Sequence, residues 1–199
     1  TRGQSIILTD QDAHRAVYAG PPIIYDFERV GDGCGLIAKK ALADTPNGVF
    51  WMGQRGFFNY NGSTVQEVPC DVWDAVFNDL NIAQVSKCWA VANAQNGEVW
   101  FFYPSSSATE IDSYVAYDYK QGHWLMGSLE RTAGVDRGVF RTPIWADATS
   151  DVYDHETGYN YDGATVYLES GPFKIATGEQ TAIVNTLIPD ESALGDVST

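Results

Sequence analysis

The side chains best suited to chemistry lie close together in the segment WADATSDVYDHETG. Five of them fall within ten residues: Asp147, Asp151, Asp154, His155 and Glu156. Carboxylates and an imidazole can bind a metal ion or exchange protons in acid–base catalysis. The segment lacks the central glycine of a calcium loop, however, and neighbouring residues of a strand face opposite sides. We therefore predict a solvated turn held by an aspartate side chain, with calcium binding or catalysis as the alternatives.

The other candidate groups are isolated in the sequence. His14 and His123 have no ligand types nearby and are predicted to lie at the surface or at strand edges. The serines at 105–107 lack the G-x-S-x-G pattern of a nucleophile elbow. The loop GDGCG, residues 31–35, lacks the helix start and the Lys-Ser/Thr ending of a phosphate-binding loop, so it is predicted to be a turn. The sequence therefore predicts no catalytic residue, no cofactor-binding residue and no metal ligand.

The three cysteines are Cys34, Cys70 and Cys88, an odd number without metal-site spacing. Cysteine is among the residue types most often buried, and it then behaves as a small apolar side chain. We predict reduced interior thiols, with a zinc site or a disulfide as the alternative.

Composition and charge narrow the class of protein. Of the 199 residues, 44% are apolar and 13% aromatic, which is typical of a folded body rich in strands. The formal net charge of −14 would repel a phosphate backbone, so a direct reader of nucleic-acid sequence is not expected. No apolar stretch approaches the roughly 20 residues of a membrane-spanning helix, so no membrane insertion is expected.

Aromatic strands joined by glycine turns dominate the middle of the chain. The clearest case is VFWMGQRGFFNYNGS, residues 49–63, where apolar residues alternate with small or polar ones around a turn at 54–56. Similar hairpins are predicted at 86–104 and 114–125. The segment LIAKKALA, residues 36–43, lies between turn signals and is also predicted to be a strand.

One short helix is predicted near residues 71–80, in CDVWDAVFNDLN. Its apolar residues recur with helical spacing on one face: Val72, Trp73, Val76, Phe77 and Leu80. Asp71 is expected to cap the N-terminus. Because about ten residues make a marginal helix without packing partners, we expect it to cover an end or a side of a β-structure.

The hairpins recur as a loose repeat. Asn47-Gly48 precedes one aromatic strand and Asn96-Gly97 precedes another, 49 positions later. The segment FNYNGSTVQEV also matches AYDYKQGHWLM, and then VYDHETGYNYDG with its turn at 162–163. Periods of about 40–50 residues with four strands each are typical of propeller blades. The predicted fold is all-β, a propeller-like meander of antiparallel hairpins, with an irregular sandwich or barrel as the alternative.

Several stretches, in their order, resemble a family of phage virion structural proteins. The markers are FYPS after an aromatic strand, then Y-x-Y-x-x-G-x-W at 117–124, then VYDHETG at 152–158. The chain is similar over most of its length, from Gly20 onward, to the tail hub or packaged-DNA stabilisation proteins of short-tailed phages, which form the head-to-tail connector and nozzle. The resemblance implies that residues 1–199 are one β-rich domain, cut from a longer virion protein with a β-propeller.

The resemblance also implies a non-enzymatic role in the virion. Such proteins form a ring of copies, with six as the expected number, that extends the portal–adaptor channel and narrows it after packaging. Their partners are the portal, adaptor and other tail proteins, and DNA is only passing cargo during retention and ejection. Two other functions stay open: a carbohydrate-binding or carbohydrate-cleaving β-propeller domain, and a scaffold domain without a ligand.

Overall fold

The computed structural model describes residues 4–158 and Tyr167. The chain divides into two units, Thr1–Gly158 and Tyr159–Thr199, and all described helices and strands lie in the first. These elements are mostly strands in antiparallel sheets, which confirms the all-β prediction. No helix among the described residues has the length and apolar character needed to cross a membrane.

The strands form four sheets in chain order. The first sheet contains β1 (Gln4–Leu8), β2 (Ala13–Tyr18) and β3 (Tyr25–Gly31), and the second contains β4 (Leu42–Thr45), β5 (Gly48–Met52), β6 (Phe57–Tyr60) and β7 (Val65–Val68). The third sheet contains β8 (Trp89–Asn93), β9 (Glu98–Tyr103), β10 (Ser113–Asp118) and β11 (His123–Ser128), and the fourth contains β12 (Ala133–Val135), β13 (Ile144–Ala146) and β14 (Val152–Asp154). Each strand pairs with the next one along the chain, so every sheet is a simple meander.

The predicted hairpins and their repeat are confirmed in the second and third sheets. In both sheets the turn between the first and second strands contains a glycine with positive φ, Gly48 and Gly97. The turn between the third and fourth strands contains another, Gly62 and Gly122. A positive φ is accessible to glycine at little cost, so the same turn chemistry shapes both sheets. The predicted turn at 162–163 lies outside the described residues.

Three hydrophobic layers separate the four sheets. The first layer, between the first and second sheets, contains Ala13, Trp51 and Tyr60. The second, between the second and third sheets, is the largest and contains Phe57 and Phe101. The third lies between the third and fourth sheets, and its buried aromatic residues are Trp89, Phe102 and Trp145. Because side chains alternate across a strand, each inner sheet contributes one face to each neighbouring layer.

The predicted helix is present as α1 (Trp73–Asp79), and its Val76 is fully buried in the second layer. The expectation that Asp71 caps it is wrong. The N-cap is Val72, which makes no side-chain capping bond. The Trp73 N–H donates to the Cys70 carbonyl, which places Asp71 inside a turn, one position before the N-cap. A 3-10 helix, Ile82–Lys87, follows and leads into β8.

The segment at 36–43 is only partly a strand, so that prediction is corrected. Leu36 and Lys40 each form an isolated bridge, and continuous pairing begins at Leu42. The reason is a turn, closed by the Ala41 N–H donating to the Ala38 carbonyl at 3.0 Å. The turn brings Lys40 beside the third sheet, where its carbonyl accepts from the Ala90 N–H at 2.9 Å.

Candidate functional site

Asp147 organises the turn between β13 and β14. Its Oδ1 accepts hydrogen bonds from the backbone N–H groups of Thr149 at 2.8 Å and Asp151 at 3.0 Å, and its Oδ2 accepts from the Tyr153 hydroxyl at 2.9 Å. The hydrogen bond from the Thr149 hydroxyl is the main cause that lowers the pKa of Asp147. This geometry confirms the predicted turn held by an aspartate side chain.

His155 serves as a neutral packing group. Its ring lies against Trp145 with centroids 4.0 Å apart, and its Nε2 accepts a hydrogen bond from Arg131 Nε at 3.0 Å. Burial is the main cause that lowers the pKa of His155 to about 4, and the positive charge of Arg131 adds to it. The Arg131 guanidinium also lies 3.8 Å from the centre of the Tyr153 ring. The neutral imidazole of His155 therefore acts as a hydrogen-bond acceptor that holds the Arg131 side chain in place.

The acidic stretch therefore does not converge on one point. Asp154 accepts from the Thr142 hydroxyl at 3.3 Å, and Glu156 points to the third sheet. Within residues 4–158, no group of three or more His, Cys, Asp or Glu side chains is arranged to hold a metal ion. Asp147 and Asp151 share one turn, where the Thr149 hydroxyl lies 2.8 Å from Asp147 Oδ1 and 3.2 Å from Asp151 Oδ2. The other three candidate side chains make separate structural contacts: Asp154, His155 and Glu156.

A polar cluster that sequence reasoning missed lies between the third and fourth sheets. Asn93, at the end of β8, is fully buried. Its Nδ2 donates to Glu98 Oε2 at 3.2 Å and to Glu156 Oε1 at 3.1 Å. The Trp100 indole N–H donates to the same Glu98 oxygen at 2.8 Å. Glu98 follows Asn93 by 5 positions, whereas Glu156 follows it by 63, so no local pattern predicts that Glu156 joins this cluster.

The position of Glu98 in this cluster changes the pKa of its carboxyl group. Burial is the main cause that raises the pKa of Glu98, and the negative charge of Glu156 adds to the rise. Glu156 also has a φ of 60°, which is uncommon for a residue other than glycine. Glu156 is exposed, and its hydrogen bond with Asn93 links the residues after β14 to the third sheet. We assign the cluster the role of joining two sheets.

A cavity of about 830 Å³ is bounded by the end of β1, by the segment that precedes β4 and by the segment that precedes β8. Three of the five lysines in the sequence line it: Lys39, Lys40 and Lys87. Lys87 Nζ bonds to the Glu110 carboxylate and to the Thr109 carbonyl. Lys39 and Lys40 are exposed and form no ion pair with any described residue. Asp10 and Glu110 also line the cavity, so its three positive charges are partly balanced.

The first and fourth sheets each leave one apolar face uncovered by described residues. On the first sheet, this open face carries Tyr18, Tyr25 and Phe27, and Phe27 is 64% exposed. On the fourth sheet, the open face carries Val135 and Val152 together with the charged Asp154, and Val152 is 67% exposed. Contiguous exposed apolar surface often marks a place where proteins associate. We refer to these surfaces as the first and second open faces.

The isolated histidines and serines have ordinary surroundings. His123 is exposed on the edge strand β11, as predicted, and His14 is half-buried on β2, on the first open face. Ser105 donates its backbone N–H to Asp112 Oδ1 at 2.7 Å, and its hydroxyl bonds to the other oxygen of the same carboxylate. The hydroxyl of Ser106 donates to Asp79 at 2.9 Å. These serines stabilise the turn after β9.

The GDGCG loop and the cysteines are structural. The Cys34 carbonyl accepts from the Trp51 indole N–H at 2.7 Å, which anchors the loop to the second sheet. All three cysteines are free, with Cys34 and Cys88 buried and Cys70 half-buried. Burial raises the pKa of Cys88 to about 12 and that of Cys70 to about 11, so both are protonated thiols at neutral pH. The prediction of reduced interior thiols is confirmed for the two buried residues.

No protein-family model matches this chain, and no curated protein is significantly similar to it.

Proposed function

We propose that this chain is a structural component of a phage tail or head-to-tail connector, of the hub or nozzle type, and that it has no enzymatic activity. The observation that carries the proposal is the pair of open apolar faces, one at each end of the series of four sheets. The polar residues suited to chemistry are engaged in turns and inter-sheet contacts. A protein of this kind works through its surfaces and its rigidity.

We further propose that the four sheets are consecutive blades of a β-propeller. Each is an up-and-down meander, and the second and third have four strands with matching glycine turns. The first strands β4 and β8 are neighbours, and β8 also contacts β12. Face-to-face packing of successive meanders around their first strands is how propeller blades associate. This arrangement supports the propeller and disfavours a two-sheet sandwich.

The two open faces would allow copies of this protein to associate into a ring. Described residues cover both sides of the second and third sheets, but only one side of the first sheet and one side of the fourth. The aromatic first open face of one copy can pack on the β-branched second open face of the next. Such a head-to-tail contact joins different surfaces and generates a closed ring when the rotation per copy closes. In the proposed assembly, the portal and adaptor proteins lie along the ring axis.

Net charge supports the proposed role in conducting DNA. A surface with a formal charge of −14 repels phosphates, so DNA passing through a channel lined by such surfaces slides without adhering. In this proposal DNA is cargo and makes no sequence-specific contact.

The test is the size and shape of the purified protein, measured by native mass spectrometry and negative-stain electron microscopy. We expect rings of the wild type, and we expect the double variant Tyr25→Asp/Phe27→Asp to be smaller, because two charges on the first open face must be desolvated on association. The control is Ile82→Asp, which places a charge on an exposed apolar residue of the 3-10 helix, away from both open faces.

Circular dichroism must show that both variants are folded. Rings of the wild type and of Ile82→Asp, together with smaller species of the double variant, support the proposal. A wild type that stays monomeric at tens of micromolar and does not enter phage particles contradicts it.

A further inference from the structure

A second cavity, of about 510 Å³, opens between the second and third sheets, on the side of the turns that contain Asn47 and Asn61. More than half of the residues that line it carry amides or aromatic hydroxyls: Asn47, Asn59, Asn61, Gln66, Tyr117 and Tyr119. We call it the amide cleft. It is distinct from the lysine-lined cavity and from both open faces.

The amides stand where the strand pattern would otherwise place core residues. Phe50 pairs with Asn59, and Asn59 pairs with Gln66, so these three side chains form one cross-strand row facing the third sheet. The next row on the same face is buried and apolar, and consists of Met52, Phe57 and Val68. The second hydrophobic layer therefore changes from apolar to amide side chains at the point where the cleft opens.

Most of the polar atoms in the amide cleft are free to bind a ligand. The Asn59 amide makes one long hydrogen bond, to the Val49 carbonyl at 3.4 Å. Among the described residues, the side chains of Asn47 and Gln66 and the hydroxyls of Tyr117 and Tyr119 have no hydrogen-bond partner. Each amide offers both a donor and an acceptor, which is the pattern that complements adjacent sugar hydroxyls.

The aromatic wall of the cleft is held by stacking. The ring of Tyr119 is stacked on Phe50, with centroids 5.8 Å apart and planes 20° apart. Tyr117 packs against the same Phe50 at 5.9 Å and against Trp124 at 4.8 Å. Rings fixed in this way present an apolar surface beside the amides, and a sugar ring has one apolar face that packs on such a surface.

Charge selects among the possible ligands. Among the described residues that line the cleft, Glu67 is the one acidic residue, and none is Lys, Arg or His. The acidic chain disfavours anionic ligands further. We propose that the amide cleft binds a neutral oligosaccharide, with Asn47, Asn59 and Gln66 bonding its hydroxyls and the tyrosines supporting its rings. The site adds a binding activity to the proposed structural role and does not depend on it.

The experiment uses the full chain and a panel of gluco-, manno-, galacto- and N-acetylglucosamine oligosaccharides, with sialylated oligosaccharides as the anionic arm. Binding is measured by isothermal titration calorimetry. We expect at least one neutral oligosaccharide to bind. Because one or two hydrogen bonds are lost in each case, we expect Gln66→Ala and Asn47→Ala each to weaken that binding about tenfold.

The matched control is Gln121→Ala. Gln121 is an exposed amide in the turn between β10 and β11 of the third sheet, and it does not line the cleft. It should bind like the wild type. Tyr119→Phe retains the ring and removes the hydroxyl, and it should weaken binding without changing the melting temperature. The proposal is overturned if no neutral oligosaccharide binds, if only sialylated ones bind, or if the cleft variants bind as tightly as Gln121→Ala.

Discussion

Glu98 and Glu156 accept hydrogen bonds from the same buried nitrogen, Asn93 Nδ2, at 3.2 and 3.1 Å. This contact joins strands β8 and β9 of the third sheet to the residues that follow β14 in the fourth. Two carboxylates near each other repel, and the shared amide hydrogens offset that repulsion. The stability of the contact between these two sheets should therefore depend on the neutral side chain of Asn93.

Asn93→Ala should destabilise the protein by about 2–3 kcal/mol, since it removes two hydrogen bonds to charged groups and leaves Glu98 partly desolvated. The measurement is urea unfolding at pH 7. The control is Asn96→Ala, in the exposed turn before β9, which should change the free energy of unfolding by less than about 0.5 kcal/mol. Equal effects of the two variants would show that Asn93 does not join the sheets.

His155 should make stability depend on pH. Its pKa in the folded protein is lowered to about 4 from an ordinary value of 6.5, so between these pH values the unfolded chain binds more protons. The contribution of His155 is therefore present above pH 6.5 and is lost as the pH falls toward 4. His155→Phe, which keeps an aromatic ring against Trp145, should flatten this part of the profile of unfolding free energy against pH. A profile in His155→Phe that is as steep as that of the wild type would contradict the assignment.

Two turn glycines of the second sheet should respond differently to alanine. At Gly48, with φ of 116°, a Cβ would lie 2.1 Å from the Tyr60 carbonyl oxygen, so the backbone must move. At Gly62, with φ of 99°, a Cβ would meet nothing within 4 Å. We expect Gly62→Ala to cost about 1 kcal/mol from backbone strain, and Gly48→Ala to cost at least about 2 kcal/mol more. Thermal unfolding of both variants gives the comparison, and similar melting temperatures would contradict it.

Phe57 connects the second sheet, the helix and the third sheet. Its ring lies 5.5 Å from Phe77 of α1, 4.9 Å from Phe101 of β9 and 4.6 Å from Trp124 of β11, and it is 1% exposed. Phe57→Ala should destabilise the protein by about 3–5 kcal/mol because it removes buried area and leaves a cavity. Phe140, which is 53% exposed, provides the control: Phe140→Ala should have little effect in the same denaturant titration.

Local patterns predicted the hairpins well because their determinants are local. Alternation of apolar and polar residues selects a strand, and glycines that accept positive φ select the turns at Gly48, Gly62, Gly97 and Gly122. The turn at Asp147 was also predictable, because an aspartate bonds to backbone groups two to four residues away. Predictions failed where two local choices are close in energy, as for the helix cap at Asp71 and the strand at 36–43.

The sequence by itself determined the all-β class, the order of the hairpins and the short helix that packs on them. Only the tertiary structure decided which polar residues meet. Asn93 and Glu156 are 63 positions apart, and Asn59 lines the amide cleft only because the second sheet packs beside Tyr117 of the third. The physical reason is range: strand and turn preferences act over a few residues, whereas a cleft or a shared hydrogen bond depends on how separate sheets pack.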